Sequence, residues 1–197
     1  MPSPIAHTVS GYAIIKLWPA KEVAPKPKFK SGSIRRWPVQ RASSWLLIYS
    51  IFISVSPDLD FVPQILTGVR YHHGPSHSLT FALGVAIAAY LITRRLWSNR
   101  SKRAKQAIQI GWLSLVLYLF HLGMDMVTAG GNGIQLLWPL SAGYYRSSIV
   151  IFPSTHWSKG LLYPGHFTFL VFELGYSVLI IIGIWLLERK RQLNRKE

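Results

Sequence analysis

Three apolar runs of membrane-crossing length, 78–97, 106–128 and 166–187, constrain this chain more than any other feature. Each is near the ~20 residues a helix needs to cross a hydrocarbon core of ~30 Å. Inside lipid, only helices and closed barrels satisfy their own backbone hydrogen bonds. A fourth run, 42–56 (ASSWLLIYSIFISVS), has about 15 residues and would cross only a thinned bilayer. A fifth, 7–18, is interrupted by Lys16 and closed by Pro19, and reads as a short or partly inserted helix. The expected fold is all-α: an integral membrane bundle of about five helices, some short, making one domain over 1–197.

The formal charge of +15 then sets the orientation. Of 22 Lys and Arg, eight fall between Lys16 and Arg41, six between Arg94 and Lys105, and five between Arg189 and Lys196. Placing those three segments in the cytoplasm makes every span alternate and satisfies the positive-inside bias. The N-terminus is then outside and the C-terminus inside, in a multi-pass cytoplasmic (inner) membrane protein. The proline-containing basic stretch 19–41 is a cytoplasmic loop, expected to be disordered, and 188–197 is a basic tail. Anionic lipid accounts for the charge, and no basic segment carries a nucleic-acid fold, so no direct nucleic-acid binding is expected. The N-terminal MPSPIAHTVSG lacks a basic n-region and does not read as a signal peptide. Cysteine is absent, so a transition metal would have to be held by imidazole and carboxylate.

Only seven acidic residues and seven histidines are present, and many border the apolar runs. Ionisable groups are costly there and mark function. In the expected topology, His7, Asp58, Asp60, His72, His77, His121, Asp125 and His166 all fall at outer helix ends or in outer loops. His121 and Asp125 are four apart, on one helical face and within reach of a shared ion. In PDLD (57–60), Pro57 disfavours helix before it and leaves Asp58 and Asp60 two apart in a turn. Carboxylates so spaced can bridge two cations or orient a water, although an Asp-rich turn explains them equally well. HHGPSH (72–77) offers three imidazoles on a loop leading into a helix, of which His73 is expected to be dispensable. His166 and Glu173 share a face of the last span, where Glu173 is either a metal ligand or a carboxyl hydrogen-bonded to another helix. The glycine-rich stretch 128–139 (TAGGNGIQLLWP) reads as a flexible turn rather than an anion cradle, for lack of P-loop spacing. The aromatic loop 144–165 is expected at the lipid interface. Arg70, Arg146, Lys159 and His156 are the other outer cations, and Arg146 is the candidate phosphate contact.

In combination, AHTVSG (6–11), PDLD, HHGPSHS (72–78), HLGMDMVTAGG (121–131), LLWP (136–139) and GHFTFLVFE (165–173) resemble the bacterial and archaeal inner-membrane metal-dependent hydrolase family of the YdjM/YbcI type. One member of that family is described as LexA-binding. The family usually has Arg at the position of His73, and the basic stretch before the second helix is longer here. The family is in turn remotely similar to zinc-dependent phospholipase C, which implies a cluster of two or three divalent ions. Zinc suits an all-N/O ligand set, with manganese or iron as alternatives.

The resulting expectation is a membrane-bound hydrolase acting on a phosphoester or lipid-like substrate at the outer face. Its ligands would come from His7, Asp58, Asp60, His72, His77, His121, Asp125, His166 and Glu173, with Asp58 or Asp60 orienting a metal-activated water. Membrane lipids are the expected surroundings, and the sequence leaves oligomeric state open. The alternative is a non-enzymatic protein that binds divalent cations, or that docks a soluble regulator through its basic loops.

Overall fold

A computed structural model describes residues 3–18, 44–69, 71–96, 100–154 and 163–194, with the backbone alone for 100–103. The described residues are helical, with two isolated β-bridges and no strand. Six α-helices follow in order: α1 (Pro4–Leu17), α2 (Ser44–Val55), α3 (Phe61–Thr67), α4 (Leu79–Leu96), α5 (Arg100–Met126) and α6 (Gly165–Leu193). The basic stretch 19–41 lies outside the described residues, as do Arg70, His156 and Lys159.

Four segments are long and apolar enough to cross a membrane: Ser44–Thr67, Leu79–Leu96, Ala104–Met126 and Gly165–Leu193. The three long apolar runs therefore become α4, α5 and α6. The second span is longer than the run at 42–56 implies. Pro57 sits in the first turn of a 3₁₀ helix (Ser56–Asp60) that carries the chain on from α2 into α3. Proline lacks only a donor that a first turn leaves unused, so it is tolerated there. PDLD is thus a tight helical turn inside a 24-residue span, not a loop beyond a short one. At 14 residues α1 reaches about 21 Å, short of a full crossing.

The most enclosed span is α5, whose Ala107, Ile110, Leu113, Leu117 and Leu122 are buried. It pairs with α4 in the most extensive helix contact and also packs on α2. The outer faces of α4 and α6 are lined with exposed Leu, Ile, Val and Phe, as lipid-facing helices require. Helix packing in lipid cannot draw on the hydrophobic effect and relies on close backbone approach. Gly11 supplies that approach between α1 and α2: a Cβ there would lie 2.2 Å from Ser54 Oγ and 3.1 Å from the Ser50 carbonyl. Two buried serines satisfy their hydroxyls within their own helices: Ser50 Oγ donates to Leu46 O (2.8 Å) and Ser114 Oγ to Ile110 O (2.7 Å).

Helices α1 and α6 run parallel. Glu173 accepts from both the backbone N–H and the hydroxyl of Ser3 at one end. Ser10 Oγ lies 2.7 Å from Tyr176 Oη in the middle, and Lys16 pairs with Glu188 at 2.9 Å at the other end. Arg94, Arg95, Lys190 and Arg191 fall in the last turns of α4 and α6. The end of the bundle carrying Lys16 and Glu188 is therefore basic.

Candidate metal centre

Opposite the basic end, four chain segments converge. His7 comes from the first turns of α1, Asp58 and Asp60 from the 3₁₀ turn, His72 to His77 from the connection to α4, and His121 and Asp125 from the last turns of α5. Four of these side chains, Asp58, His77, His121 and Asp125, are buried and offer ligand atoms all within 4.8 Å of one another.

The separations have a definite form. His77 Nε2 lies 3.3 Å from Asp125 Oδ2, 3.6 Å from Asp58 Oδ1 and 3.4 Å from His121 Nε2. His121 Nε2 lies 3.1 Å from Asp125 Oδ2 and 3.6 Å from Asp58 Oδ1. Donors held at 2.0–2.1 Å from one tetrahedral ion stand about 3.3–3.4 Å apart, which is the centre of this range. The residues present therefore fit a divalent cation.

Hydrogen positions support the same conclusion. His121 Nδ1 is 2.7 Å from the Ser54 carbonyl, which can only accept, so Nδ1 carries the proton and Nε2 turns its lone pair to the cluster. Neither oxygen of Asp58 or Asp125 accepts a hydrogen bond, although all four atoms are buried. Buried carboxylates without donors are rare and costly. Lone pairs of imidazole and carboxylate facing each other at 3.1–3.6 Å demand a positive charge between them. Burial pushes His77 down, but Asp125, Asp58 and Asp60 outweigh it and hold its imidazolium well above the ordinary value of 6.5.

His7 stacks on His121 with ring centroids 3.7 Å apart, and its Nε2 is 3.6 Å from the other oxygen of Asp125, Oδ1. It is 1% exposed and both its ring nitrogens lack a hydrogen-bond partner. Among the expected ligands, His7, Asp58, His77, His121 and Asp125 thus meet.

Asp60 and His72 stand one layer out. Asp60 Oδ1 is 2.7 Å from His72 Nδ1, and Oδ2 takes the Ser76 hydroxyl at 2.6 Å and lies 3.1 Å from His77 Nδ1. Two residues apart in a 3₁₀ helix means 240° around the axis, so Asp58 and Asp60 face different ways. His72 also stacks on Phe61 (3.8 Å).

Two expected ligands lie elsewhere. Glu173 is buried, but both its oxygens are engaged by Ser3, so it ties α1 to α6 as the hydrogen-bonded carboxyl of the two readings. His166 is half-buried beside Tyr163 at the start of α6 and joins no group of clustered ligands among the described residues.

His73 runs the other way. Its backbone has φ +67°, a left-handed conformation rare outside glycine and asparagine, and nothing in the sequence signals it. The ring lies with His72 and His77 in a second set of neighbouring imidazoles, with Nε2 buried and unpartnered. Burial lowers it to about 3, so it is neutral.

The segment 127–154 covers this end of the bundle. Ser147 N donates to Met126 O (2.9 Å), Gln135 N to His73 O (3.0 Å) and Leu79 N to Leu136 O (2.9 Å). The glycine-rich stretch is therefore packed rather than loose. A Cβ on Gly133, at φ +92°, would lie 2.1 Å from Tyr145 O. Phe152, expected at the lipid interface, is instead buried against Tyr176. Arg146 is exposed in the same segment, 3.5 Å from Gly131 O.

Fold and site together define a multi-pass helical membrane protein with a buried His/Asp cluster able to hold a metal ion. The YdjM inner membrane protein family profile matches residues 1–191, so the chain belongs to that family, as its motifs imply. It is 36% identical over 102 residues to Inner membrane protein YbcI of Escherichia coli (strain K12), an alignment covering 49% of this chain and 54% of that protein. The chain thus spans about half the length of this curated relative. No solved structure matches it.

Proposed function

We propose that this chain is a membrane-bound, metal-dependent hydrolase that cleaves a phosphoester or lipid-like substrate at the outer face of the membrane. The observation carrying this reading is the set of donor separations of 3.1–3.6 Å between the buried His77 and His121 imidazoles and the carboxylates of Asp58 and Asp125, whose oxygens accept no hydrogen bond. Asp58, His77, His121 and Asp125 would hold one ion, and His7 with the second oxygen of Asp125 would hold another. The donor set favours zinc, with manganese or iron as alternatives. A bound divalent ion supplies a water whose pKa falls from about 15.7 to about 7.

The chain's own residues supply the rest. Asp58 is the candidate to orient and deprotonate that water, through Oδ2, since Oδ1 is the oxygen turned to His77 and His121. Arg146 is the candidate contact for a phosphoryl oxygen, since Ser147 pins its segment to the end of α5. The outer-face assignment rests on the basic residues gathered at the far end of the bundle, which the positive-inside bias places in the cytoplasm. A site at one membrane face suits a substrate drawn from the lipid surface.

One observation favours a second reading. Four protein ligands complete a tetrahedron, as in structural rather than catalytic sites. A non-enzymatic cation-binding protein would show metal without turnover. Docking of a regulator through 19–41 would survive His77→Ala and fail on deletion of residues 22–38. The deciding experiment is elemental analysis of the purified protein and of Asp58→Ala and His121→Ala, followed by a screen of phosphoester and ester substrates. Hydrolysis by the metal-loaded parent that both variants lose supports the proposal. Full metal content with no turnover in vesicles or detergent refutes it.

A further inference from the structure

The geometry points to Asp60 as a positioning residue: a carboxylate that binds no ion and does no proton transfer, but aims His77 and His72 by holding their Nδ1–H groups. This deepens the metal reading and rests on it.

The argument starts from what each oxygen of Asp60 touches. Oδ1 meets His72 Nδ1 at 2.7 Å, and Oδ2 meets the Ser76 hydroxyl at 2.6 Å and His77 Nδ1 at 3.1 Å. A carboxylate only accepts, so the facing imidazole nitrogens must carry hydrogen. His77 is thereby fixed with Nδ1 turned outward and Nε2 turned to Asp58, Asp125 and His121, at 3.6, 3.3 and 3.4 Å. His121 reaches the same state by another route, through Nδ1 and the Ser54 carbonyl at 2.7 Å. Both imidazoles of the cluster therefore present the nitrogen that can bind metal, and each has a separate outer acceptor that makes it do so. Carboxylate–histidine–metal relays of this kind orient the ring and raise its basicity.

The contrast with Asp58 is geometric. Asp58, two residues earlier, has no hydrogen bond to either oxygen, whereas both oxygens of Asp60 are taken. The 3₁₀ turn divides the pair into one residue facing the cluster and one facing the imidazoles behind it. Ser76 completes the outer layer, since its hydroxyl bonds Asp60 and lies 3.0 Å from His77 Nδ1. Asp60 thereby ties the HHGPSH loop to PDLD through His72, Ser76 and His77.

The test is zinc binding to the full-length protein in detergent, by competition with a chromophoric chelator, with bound metal counted at saturation. Asp60→Asn should keep the parent's ion count and lower affinity about 10–100-fold, the usual cost of losing an outer partner of a metal ligand. Asp60→Glu should recover part of that loss, and Ser76→Ala, which leaves the carboxylate in place, should lose less than Asp60→Asn. Cobalt-loaded Asp60→Asn should keep the parent's tetrahedral visible bands, because the donor set is unchanged. A fall in ion count equal to that of Asp58→Ala, a changed cobalt spectrum, or unchanged zinc affinity would overturn the assignment. A parent that binds no zinc would instead defeat the metal reading itself, and this inference with it. Should Asp60→Asn not fold, Asp60→Ser carries the same test: it also removes the carboxylate, and parent-like zinc affinity in it overturns the inference.

Discussion

Replacing Asp125 by asparagine keeps the volume at the centre of the cluster and removes its charge. Asp125 lies within 3.6 Å of His7, 3.3 Å of His77 and 3.1 Å of His121, so it meets all three imidazoles. In the parent, zinc at a thousand times its dissociation constant should stabilise the fold by about 4.1 kcal/mol relative to chelator. For a chain of 197 residues this is a rise in Tm of about 8–16 °C. A direct ligand should matter at least as much as an outer partner, so Asp125→Asn should weaken binding by ~100-fold or more. At the same zinc concentration the stabilisation then drops to about 1.4 kcal/mol, or about 3–6 °C. Tryptophan fluorescence during heating in detergent, with zinc or with chelator, reads both numbers. A parent whose Tm ignores zinc, or an Asp125→Asn variant with the parent's full shift, would refute the reasoning.

Proton competition gives a pH test. His77 has its pKa raised in the metal-free fold, so its stabilisation is complete below about pH 6.5 and is lost as pH rises through the folded value. Metal-free protein should lose Tm as pH rises above about 6.5 and through the raised folded value, while zinc affinity, measured by competition, should rise as the proton leaves. Gly11→Leu drives a side chain into Ser54 and the Ser50 backbone and should cost about 1–3 kcal/mol or more, read as a lowered Tm with and without zinc. Glu173→Gln should loosen the anchor of α1 through Ser3 and lower Tm, with zinc stoichiometry by elemental analysis unchanged.

Much of the site was legible because its groups are expensive where they sit. An ionisable residue beside an apolar run is rare enough to be read one residue at a time, and that signal groups His7, Asp58, Asp60, His72, His77, His121 and Asp125. The pair His121 and Asp125 needed only the helical repeat. Glu173 and His166 carry the same local signal but lie outside the cluster. Burial cost does not distinguish a carboxylate held by a metal from one held by two donors of Ser3.

Sequence alone determined an all-helical membrane chain, its long spans and the single end at which the polar residues gather, since lipid forbids other backbones and apolar length can be counted. Only the tertiary structure decided that Pro57 begins a 3₁₀ turn within a span rather than ending one. That turn's 120° per residue set Asp58 toward the other ligands and Asp60 toward the imidazoles behind them. Residues two apart share a face in a strand and part in a 3₁₀ helix, and the local sequence PDLD is compatible with either. In the fold, contacts of Asp60 with the sequence-distant His72, Ser76 and His77 hold the 3₁₀ arrangement.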